Sequence, residues 1–316
     1  MLRFLIQRSL QNVILLWLVS MIGFGVLFLA PGGPLAQFAL VPGMSQAELL
    51  RIAEQMGLNR PIPAQYWEWF TRLLSGDWGH SYRDGQPVLS IIGSHLGATL
   101  ELMVVSAVIA VAVGMWVGVL GAIRRYSVFD YLATVGAMVA LSIPTFWFGL
   151  VTIYVFSVKL AILPAGNMYT IGGGSLWDYV RHLIAPSLVL GLVTVALWSR
   201  YMRSSMLEVI HQDYIRTARA KGASERVVLI RHAIRNALLP MITVAGLQLP
   251  TLLSGALVTE TVFTWPGMGR LFLDSLSYRD YPVVMGVLML SAVLVLIGNM
   301  LADILYAVAD PRIRLD

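Results

Sequence analysis

The chain has 316 residues, of which 58% are hydrophobic and 12% are charged, with a net charge of +5 at pH 7. Because an average soluble domain carries roughly 25% charged residues, this composition argues against a water-soluble enzyme or binding module. The sequence contains no cysteine. It therefore excludes disulfide bonds, thiolate catalysis and cysteine-ligated metals.

Long apolar runs without charge predict membrane-spanning helices, because about 20 apolar residues in a helix cross the roughly 30 Å hydrocarbon core of a bilayer. The runs are continuous and do not alternate with period two, so helices are favoured over strands. The first run is too long for a cleavable signal sequence and lacks a small-residue cleavage site after it, so we expect a retained helix. We predict an all-α, polytopic protein with a single transmembrane domain over 1–316 and six spans, at about 9–30, 100–123, 131–158, 183–204, 238–259 and 281–306.

The basic residues predict the orientation of these spans. In the six-span arrangement most of them fall on one side of the membrane, at Arg3, Arg8, Arg124, Arg125, the cluster 200–235, Arg312 and Arg314. The positive-inside rule makes that side cytoplasmic, with both termini inside a bacterial cytoplasmic membrane and the segment 31–99 outside. This placement favours contact of the positive charge with membrane lipid and argues against nucleic-acid binding.

Small residues and prolines interrupt several predicted spans. The second span contains a stripe of glycines at Gly114, Gly118 and Gly121, which lets helix backbones approach closely. We interpret this stripe as a helix-packing surface in preference to a ligand contact. Three later spans contain a proline, which frees a backbone carbonyl, at Pro144, Pro186 and Pro250. Each proline marks either a kink along a translocation path or a purely structural kink.

Motifs of common enzymes are missing from the sequence. Lys159 and Lys221 lack the glycine and hydroxyl neighbours of a phosphate-binding loop, and no histidine is followed by the glutamate of a zinc-protease motif. A nucleophile elbow is missing as well. We therefore expect no catalytic residue, cofactor or metal in this chain. Four ionisable residues near span ends are expected at the membrane interface: Glu101, Lys159, Glu260 and Asp303. If any of them formed a proton or ion relay, the chain would be an ion-coupled carrier.

The predicted cytoplasmic segment 205–237 has the strongest local pattern. Ile215, Ala218 and Gly222 share one face of a short helix, and this small, smooth face is suited to docking into a protein groove. Gly222 is expected to end that helix in a left-handed conformation, and Ser224 to cap the next one. The alternative is a basic juxtamembrane loop held only by anionic lipid.

The order of residues in this segment resembles the cytoplasmic Glu-Ala-Ala loop of ABC importer permeases. Thr217-Ala218 is followed after three residues by Gly222, and after nine more by His232-x-Ile234. Arg216 and Thr217 stand where that loop usually has glutamate and its first alanine, and Arg235 replaces the usual proline. This variant is similar to permeases for dipeptides, oligopeptides, glutathione and nickel. The resemblance implies a coupling helix that seats in a cleft of an ATPase subunit, with the coupling residues Arg216, Thr217, Ala218, Arg219, Gly222, His232, Arg235 and Asn236.

Further motifs extend the resemblance over nearly the whole chain and point to the first of that family's two permease subunits. They occur in the same order, at Met1-Leu2-Arg3, Pro31-Gly32-Gly33-Pro34, Gly57-Leu58-Asn59-Arg60-Pro61, Gly76-Asp77-Trp78-Gly79, Ala98-Thr99-Leu100-Glu101-Leu102, Ser142-Ile143-Pro144, Phe263-x-Trp265-Pro266-Gly267-x-Gly269-Arg270, Arg279-Asp280-Tyr281-Pro282 and Asp310-Pro311-Arg312-Ile313-Arg314. Gly33 stands where aspartate is common in relatives.

The resemblance implies a machine in which this chain forms half of the path for a peptide. The expected partners are a second homologous permease, two ATP-binding cassette subunits that carry ATP and Mg²⁺, and an extracytoplasmic substrate-binding protein. The same machinery with nickel, glutathione or an oligosaccharide as cargo is the first alternative. An ion-coupled secondary transporter and an intramembrane enzyme are alternatives of other classes. The residues that line the path are not predicted.

Overall fold

Helices make up the architecture of the chain in the computed structural model. The structure describes residues 2–29, 33–35, 38 and 43–309. The side chains of 2–5, 34, 243, 246–255 and 305–309 are not described. Within those residues the one extended pairing is a bridge between His80 and Pro87. The all-α prediction is thus confirmed. The helices are α1 (Leu2–Leu29), α2 (Gln46–Gln55), α3 (Ile62–Leu74), α4 (Val88–Ile123), α5 (Val128–Ser142), α6 (Thr145–Thr152), α7 (Leu176–Ile210), α8 (Asp213–Ala220), α9 (Glu225–Val227), α10 (Arg235–Ala237), α11 (Leu239–Val262), α12 (Met268–Ser277) and α13 (Tyr281–Ala309).

Two π-helical segments interrupt this pattern. Ile153–Lys159 continues α6, and Val228–Ile234 joins α9 to α10. The motif at 310–314 and the residues Pro31 and Gly32 lie outside the described part of the chain.

Several helices match the length and apolarity of membrane spans. Among the described residues four qualify, within Ile6–Leu29, Val88–Ile123, Leu176–Ile210 and Tyr281–Ile304, and a bent pair makes a fifth if it counts as one span. The 24-residue helix α11 overlaps the predicted span at 238–259. Most of its central side chains are not described, Pro250 among them. Both α4 and α7 extend beyond their predicted spans, because charge-free runs mark only the apolar part of a helix that continues through polar residues.

The predicted span at 131–158 is not one straight helix. α5 ends at Ser142, Ile143 adopts an extended conformation, and Pro144 precedes α6. The two halves bend by 107°. The physical reason is that a proline disfavours the helical conformation of the residue before it. Pro186 does not interrupt its helix: it is buried, and α7 continues through it from Leu176 to Ile210.

The backbone groups into two compact units, for which the sequence gives no sign. The first comprises the described residues of Met1–Ala98 together with Gly267–Leu296, and the second comprises Thr99–Pro266 and the described residues of Ile297–Leu315.

Aromatic packing holds the first unit together. The Phe24 ring in α1 lies 5.5 Å from the ring of Tyr66 and 5.6 Å from that of Trp69, both in α3. The Tyr66 hydroxyl also shares a 2.8 Å hydrogen bond with Ser20. The aromatic-rich segment 31–99 is therefore folded in its described part, as its composition suggests.

A buried carboxylate fixes the loop before α4 in the same unit. Asp280, which is 3% exposed, accepts hydrogen bonds from the Ser81 hydroxyl and the Tyr82 backbone amide. Burial raises the pKa of the Tyr82 phenol to about 12, with a further contribution from the Asp280 charge. These contacts connect the loop to the start of α13.

Close packing of α4 against α7 organises the second unit. A Cβ atom added at Gly114 would lie 2.6 Å from the Cβ of Trp198, and one added at Gly118 would lie 2.6 Å from the Ser199 carbonyl oxygen. No side chain fits at that separation. The interpretation of the glycine stripe as a helix-packing surface is confirmed.

Candidate functional site

The segment after α7 forms a short helix, a tight turn and a second helical stretch. α8 begins at Asp213 and ends at Ala220, and Gly222 follows with φ +80°. The Gly222 amide donates to the Arg219 carbonyl and the Ala223 amide to the Ala218 carbonyl, at 2.9 and 3.2 Å. This pair of bonds is the Schellman arrangement, in which glycine tolerates the left-handed conformation at no steric cost. The predicted conformation of Gly222 is confirmed.

The start of the second helical stretch differs from the prediction. Ser224 occupies the position before α9, but its side chain makes no capping hydrogen bond. An ion pair spans the turn instead, in which the Arg219 guanidinium donates to both Glu225 oxygens at 2.7 and 3.1 Å. These bonds lower the pKa of the Glu225 carboxyl, which means that they favour its charged form.

The helix face predicted to dock into a partner groove instead packs against the rest of the chain. Ile215 is 0% exposed and belongs to a hydrophobic cluster with Met202 and Met206 of α7 and with Val228. Ala218 is partly buried against the same cluster. The helical spacing was read correctly, but an apolar stripe on a short helix packs first against the apolar surface of its own chain. This face of α8 is therefore not available to a partner at Ile215.

Another face of α8 is open. Tyr214 is 43% exposed, and Thr217 and Lys221 are exposed at helical spacings of three and seven residues from it. Arg216 is also exposed and lies 3.5 Å from Asp213, an ion pair that contributes little at this exposure. We call Tyr214, Thr217 and Lys221 the outer face of α8.

The eight residues predicted to couple the chain to an ATPase fall into two groups. Arg216, Thr217, Ala218, Arg219 and Gly222 lie on α8 and its turn, whereas His232, Arg235 and Asn236 lie on the second stretch. In the second group the Asn236 amide donates to the His232 carbonyl at 2.6 Å, and Arg235 is exposed. The buried cluster around Ile215 connects the two groups. In the described part of the chain no hydrogen bond joins their polar side chains to each other.

The segment is attached firmly to α7. The hydroxyl of Ser205 donates to the Ala237 carbonyl at 2.9 Å, within the buried interior. Met202 and Met206, one turn apart on α7, pack around Ile215 from the same side. α8 is therefore held to the end of α7 by packing as well as by the chain connection.

Three polar contacts of the second unit involve residues whose partners the sequence did not reveal. Asp130 of α5 and Arg203 of α7 form a salt bridge at 2.6 Å. Glu260, which was expected at a membrane interface, is 0% exposed and accepts a 2.6 Å hydrogen bond from Thr99. Glu101 accepts one from the Tyr179 hydroxyl. Partners far apart along the chain leave no local signal, so only the charges themselves were visible in the sequence.

The described part of the chain contains no group of three histidine, cysteine or carboxylate side chains that is arranged to hold a metal ion. Lys159 lies with its ammonium 5.5 Å from the centre of the Tyr154 ring, an ordinary cation–π distance.

Comparison with known proteins identifies the family. The family described as "Binding-protein-dependent transport system inner membrane component" matches residues 110–315, and its N-terminal counterpart, "Binding-prot-dependent transport system membrane comp, N-term", matches residues 1–103. The chain belongs to this family. The binding-protein-dependent transport family thus accounts for nearly the entire length, and the predicted resemblance to ABC importer permeases is confirmed.

Similar members of the binding-protein-dependent transport family include two named peptide permeases. The oligopeptide transport system permease protein AppB of Bacillus subtilis is 45% identical, over 98% of this chain and 99% of the relative. The dipeptide transport system permease protein DppB of Escherichia coli K12 is 40% identical, over 99% of both chains.

Two solved structures share the fold. The inward-facing MetNI methionine ABC transporter matches with a TM-score of 0.57 and 19% identity, over 70% of this chain and 97% of that one. An amino acid ABC transporter crystallised with histidines matches with a TM-score of 0.54 and 17% identity, over 69% of this chain and 94% of that one.

Proposed function

We propose that the chain is one permease subunit of an ATP-driven, binding-protein-dependent importer, and that its cargo is a peptide. The observation that carries the proposal is full-length identity of 40–45% with permeases named for oligopeptides and dipeptides. The partners are a second homologous permease, two ATPase subunits on the cytoplasmic side and an extracytoplasmic protein that delivers the peptide. ATP and Mg²⁺ are bound by the ATPase subunits, and this chain contributes no catalytic residue.

The role of α8 in this machine is to dock on an ATPase subunit. Its outer face is exposed, while Ile215 anchors the helix in the chain's own core. Such a helix resists tilting independently of α7, so a push by the ATPase reaches the membrane-spanning helices. ATP binding then favours one of two arrangements of the permeases, and docking transmits that bias without any chemistry in this chain.

The orientation of the chain follows from the same proposal and has a direct test. The protein has no native cysteine, so a single introduced cysteine reports its own location. Ser75 and Ser224 are both exposed. In intact cells Ser75→Cys should react with a membrane-impermeant maleimide, whereas Ser224→Cys should react only after the membrane is permeabilised. The reverse pattern would contradict cytoplasmic termini and an extracytoplasmic 31–99 segment.

The cargo is tested by uptake in cells that express the complete assembly and lack their own peptide permeases. We expect accumulation of a radiolabelled dipeptide or oligopeptide that falls to background when this chain is omitted. Unlabelled peptides should compete, and glutathione, a nickel chelate or an oligosaccharide should not. Competition by one of those three instead would reassign the cargo. Uptake that continues without the ATPase subunits would indicate an ion-coupled carrier.

A further inference from the structure

A partly buried ion pair joins α5 to α7. Arg203 donates from Nε to Asp130 Oδ1 at 2.6 Å and from Nη2 to Asp130 Oδ2 at 2.8 Å. The side chain of Asp130 is 5% exposed and that of Arg203 is 30% exposed. A two-point guanidinium–carboxylate contact fixes orientation as well as distance, so it resists rotation of one helix against the other.

The same carboxylate also fixes the turn between α4 and α5. The Tyr126 backbone amide donates to Asp130 Oδ2 at 3.0 Å. Tyr126 has φ +64°, a conformation that a residue with a side chain adopts only when its surroundings impose it. On the other side of the pair, a Cβ added at Gly121 of α4 would lie 3.3 Å from Asp130 Oδ1. Asp130 thus holds the end of α4, the turn and α7 in one arrangement.

The pair lies next to the anchor of α8 on α7. Arg203 directly follows Met202, which packs around Ile215 of α8 together with Met206. Neighbouring residues on a helix are only about 1.5 Å apart along its axis. A displacement of α8 that moves Met202 at the end of α7 therefore also moves Arg203, which lies in the same helical turn.

We propose that the Asp130–Arg203 pair is a positioning strut that carries the displacement of α8 from α7 to α5, the first half of the bent helix pair. This inference rests on the proposed function, since it assigns the pair a place in the coupling of ATP hydrolysis to transport. Neither residue touches ATP or cargo in this role. Each acts through the other and through the helices that they join.

The test compares three variants in the purified four-subunit complex in lipid vesicles: Asp130→Asn, Arg203→Met and the double variant. Peptide uptake per ATP hydrolysed is the main readout, and co-purification and thermal unfolding measure folding. Arg203→Met leaves the buried Asp130 charge without its partner and Asp130→Asn leaves the partly exposed Arg203 unpaired, so both should destabilise, the first more, whereas the double variant leaves no unpaired charge. We expect the double variant to regain stability but to stay uncoupled, with uptake per ATP at least about fivefold below wild type, the lower end of typical coupling effects.

Arg200→Met is the matched control. Arg200 precedes Arg203 by three residues on α7, is exposed and forms no ion pair with any described residue. It should keep the wild-type ratio of uptake to hydrolysis.

The outcomes distinguish a failure of the strut proposal from a failure of the proposed function. Wild-type complex without ATP-dependent peptide uptake would contradict the proposed function. If the wild-type complex takes up peptide and the double variant keeps the wild-type ratio of uptake to ATP hydrolysis, only the strut proposal is overturned. Loss of assembly in all three variants would also overturn it, because the pair would then serve folding only.

Discussion

Gly222→Val is expected to abolish substrate-stimulated ATPase activity and peptide uptake while the subunit is still inserted in the membrane. Gly222 has φ +80°, where a side chain is disfavoured by about 1–2 kcal/mol and a β-branched one by more. Apart from the two neighbouring residues, no described atom lies within 4 Å of a Cβ placed there, so the effect comes from backbone strain and not from a clash. Relief of that strain breaks the turn and changes the direction of α8.

A companion variant tests the outer face of α8 without disturbing the turn. Thr217→Trp adds bulk where the ATPase is proposed to sit, and it should lower stimulated ATPase activity and uptake to near background. Ala218→Trp acts differently, because Ala218 packs against the chain's own core. Overpacking there typically destabilises the fold by about 1–3 kcal/mol, so this variant should lose stability as well as coupling.

The control for both is Gln212→Ala. Gln212 precedes α8 and makes no side-chain capping bond, so its loss should be mild. The measurement is ATPase activity of the reconstituted complex with and without peptide-loaded binding protein. Normal stimulation in assembled Gly222→Val and Thr217→Trp complexes would show that the segment is a passive basic loop.

Gly118→Ala is expected to reduce the amount of folded protein sharply. The added Cβ would lie 2.6 Å from the Ser199 carbonyl oxygen and 2.7 Å from the Met202 Cβ. Both belong to the rigid body of α7, so the helices must separate, at a cost of about 1–3 kcal/mol or more. The helix propensity gained from alanine, about 1 kcal/mol, offsets only part of this cost.

Gly136→Ala is the matched control for this packing. Gly136 also lies inside a helix, α5, and nothing lies within 4 Å of a Cβ placed there. Both variants gain the same propensity, so the difference between their unfolding temperatures isolates the contact of α4 with α7. Equal stability of the two variants would contradict the close approach of these helices.

The periodic features of the sequence predicted the structure well. Continuous apolar runs located the long helices, the glycine stripe identified the α4 surface that meets α7, and Gly222 marked the end of a short helix. Each of these is a local pattern, and local patterns are what one sequence records.

The predictions that failed depended on contacts between distant residues. The spacing of Ile215 and Ala218 was read correctly, but whether that face meets a partner or the chain itself depends on Met202 and Val228, which the periodicity of α8 does not contain. Asp130 and Arg203 are 73 residues apart, so their pairing leaves no mark on either neighbourhood. Pro144 indicated a possible bend in the sequence, but the sequence did not predict its angle of 107°.

The most direct measurement of the central claim is peptide uptake into sealed vesicles that contain the purified complex, with ATP supplied to the side of the ATPase subunits and loaded binding protein to the other. Uptake should require ATP, the binding protein and this chain together, and omitting any one should reduce it to background. Peptide accumulation in vesicles that contain every component except this chain, or accumulation driven by an ion gradient without ATP, would contradict the assignment of the chain as a permease subunit of an ATP-driven importer.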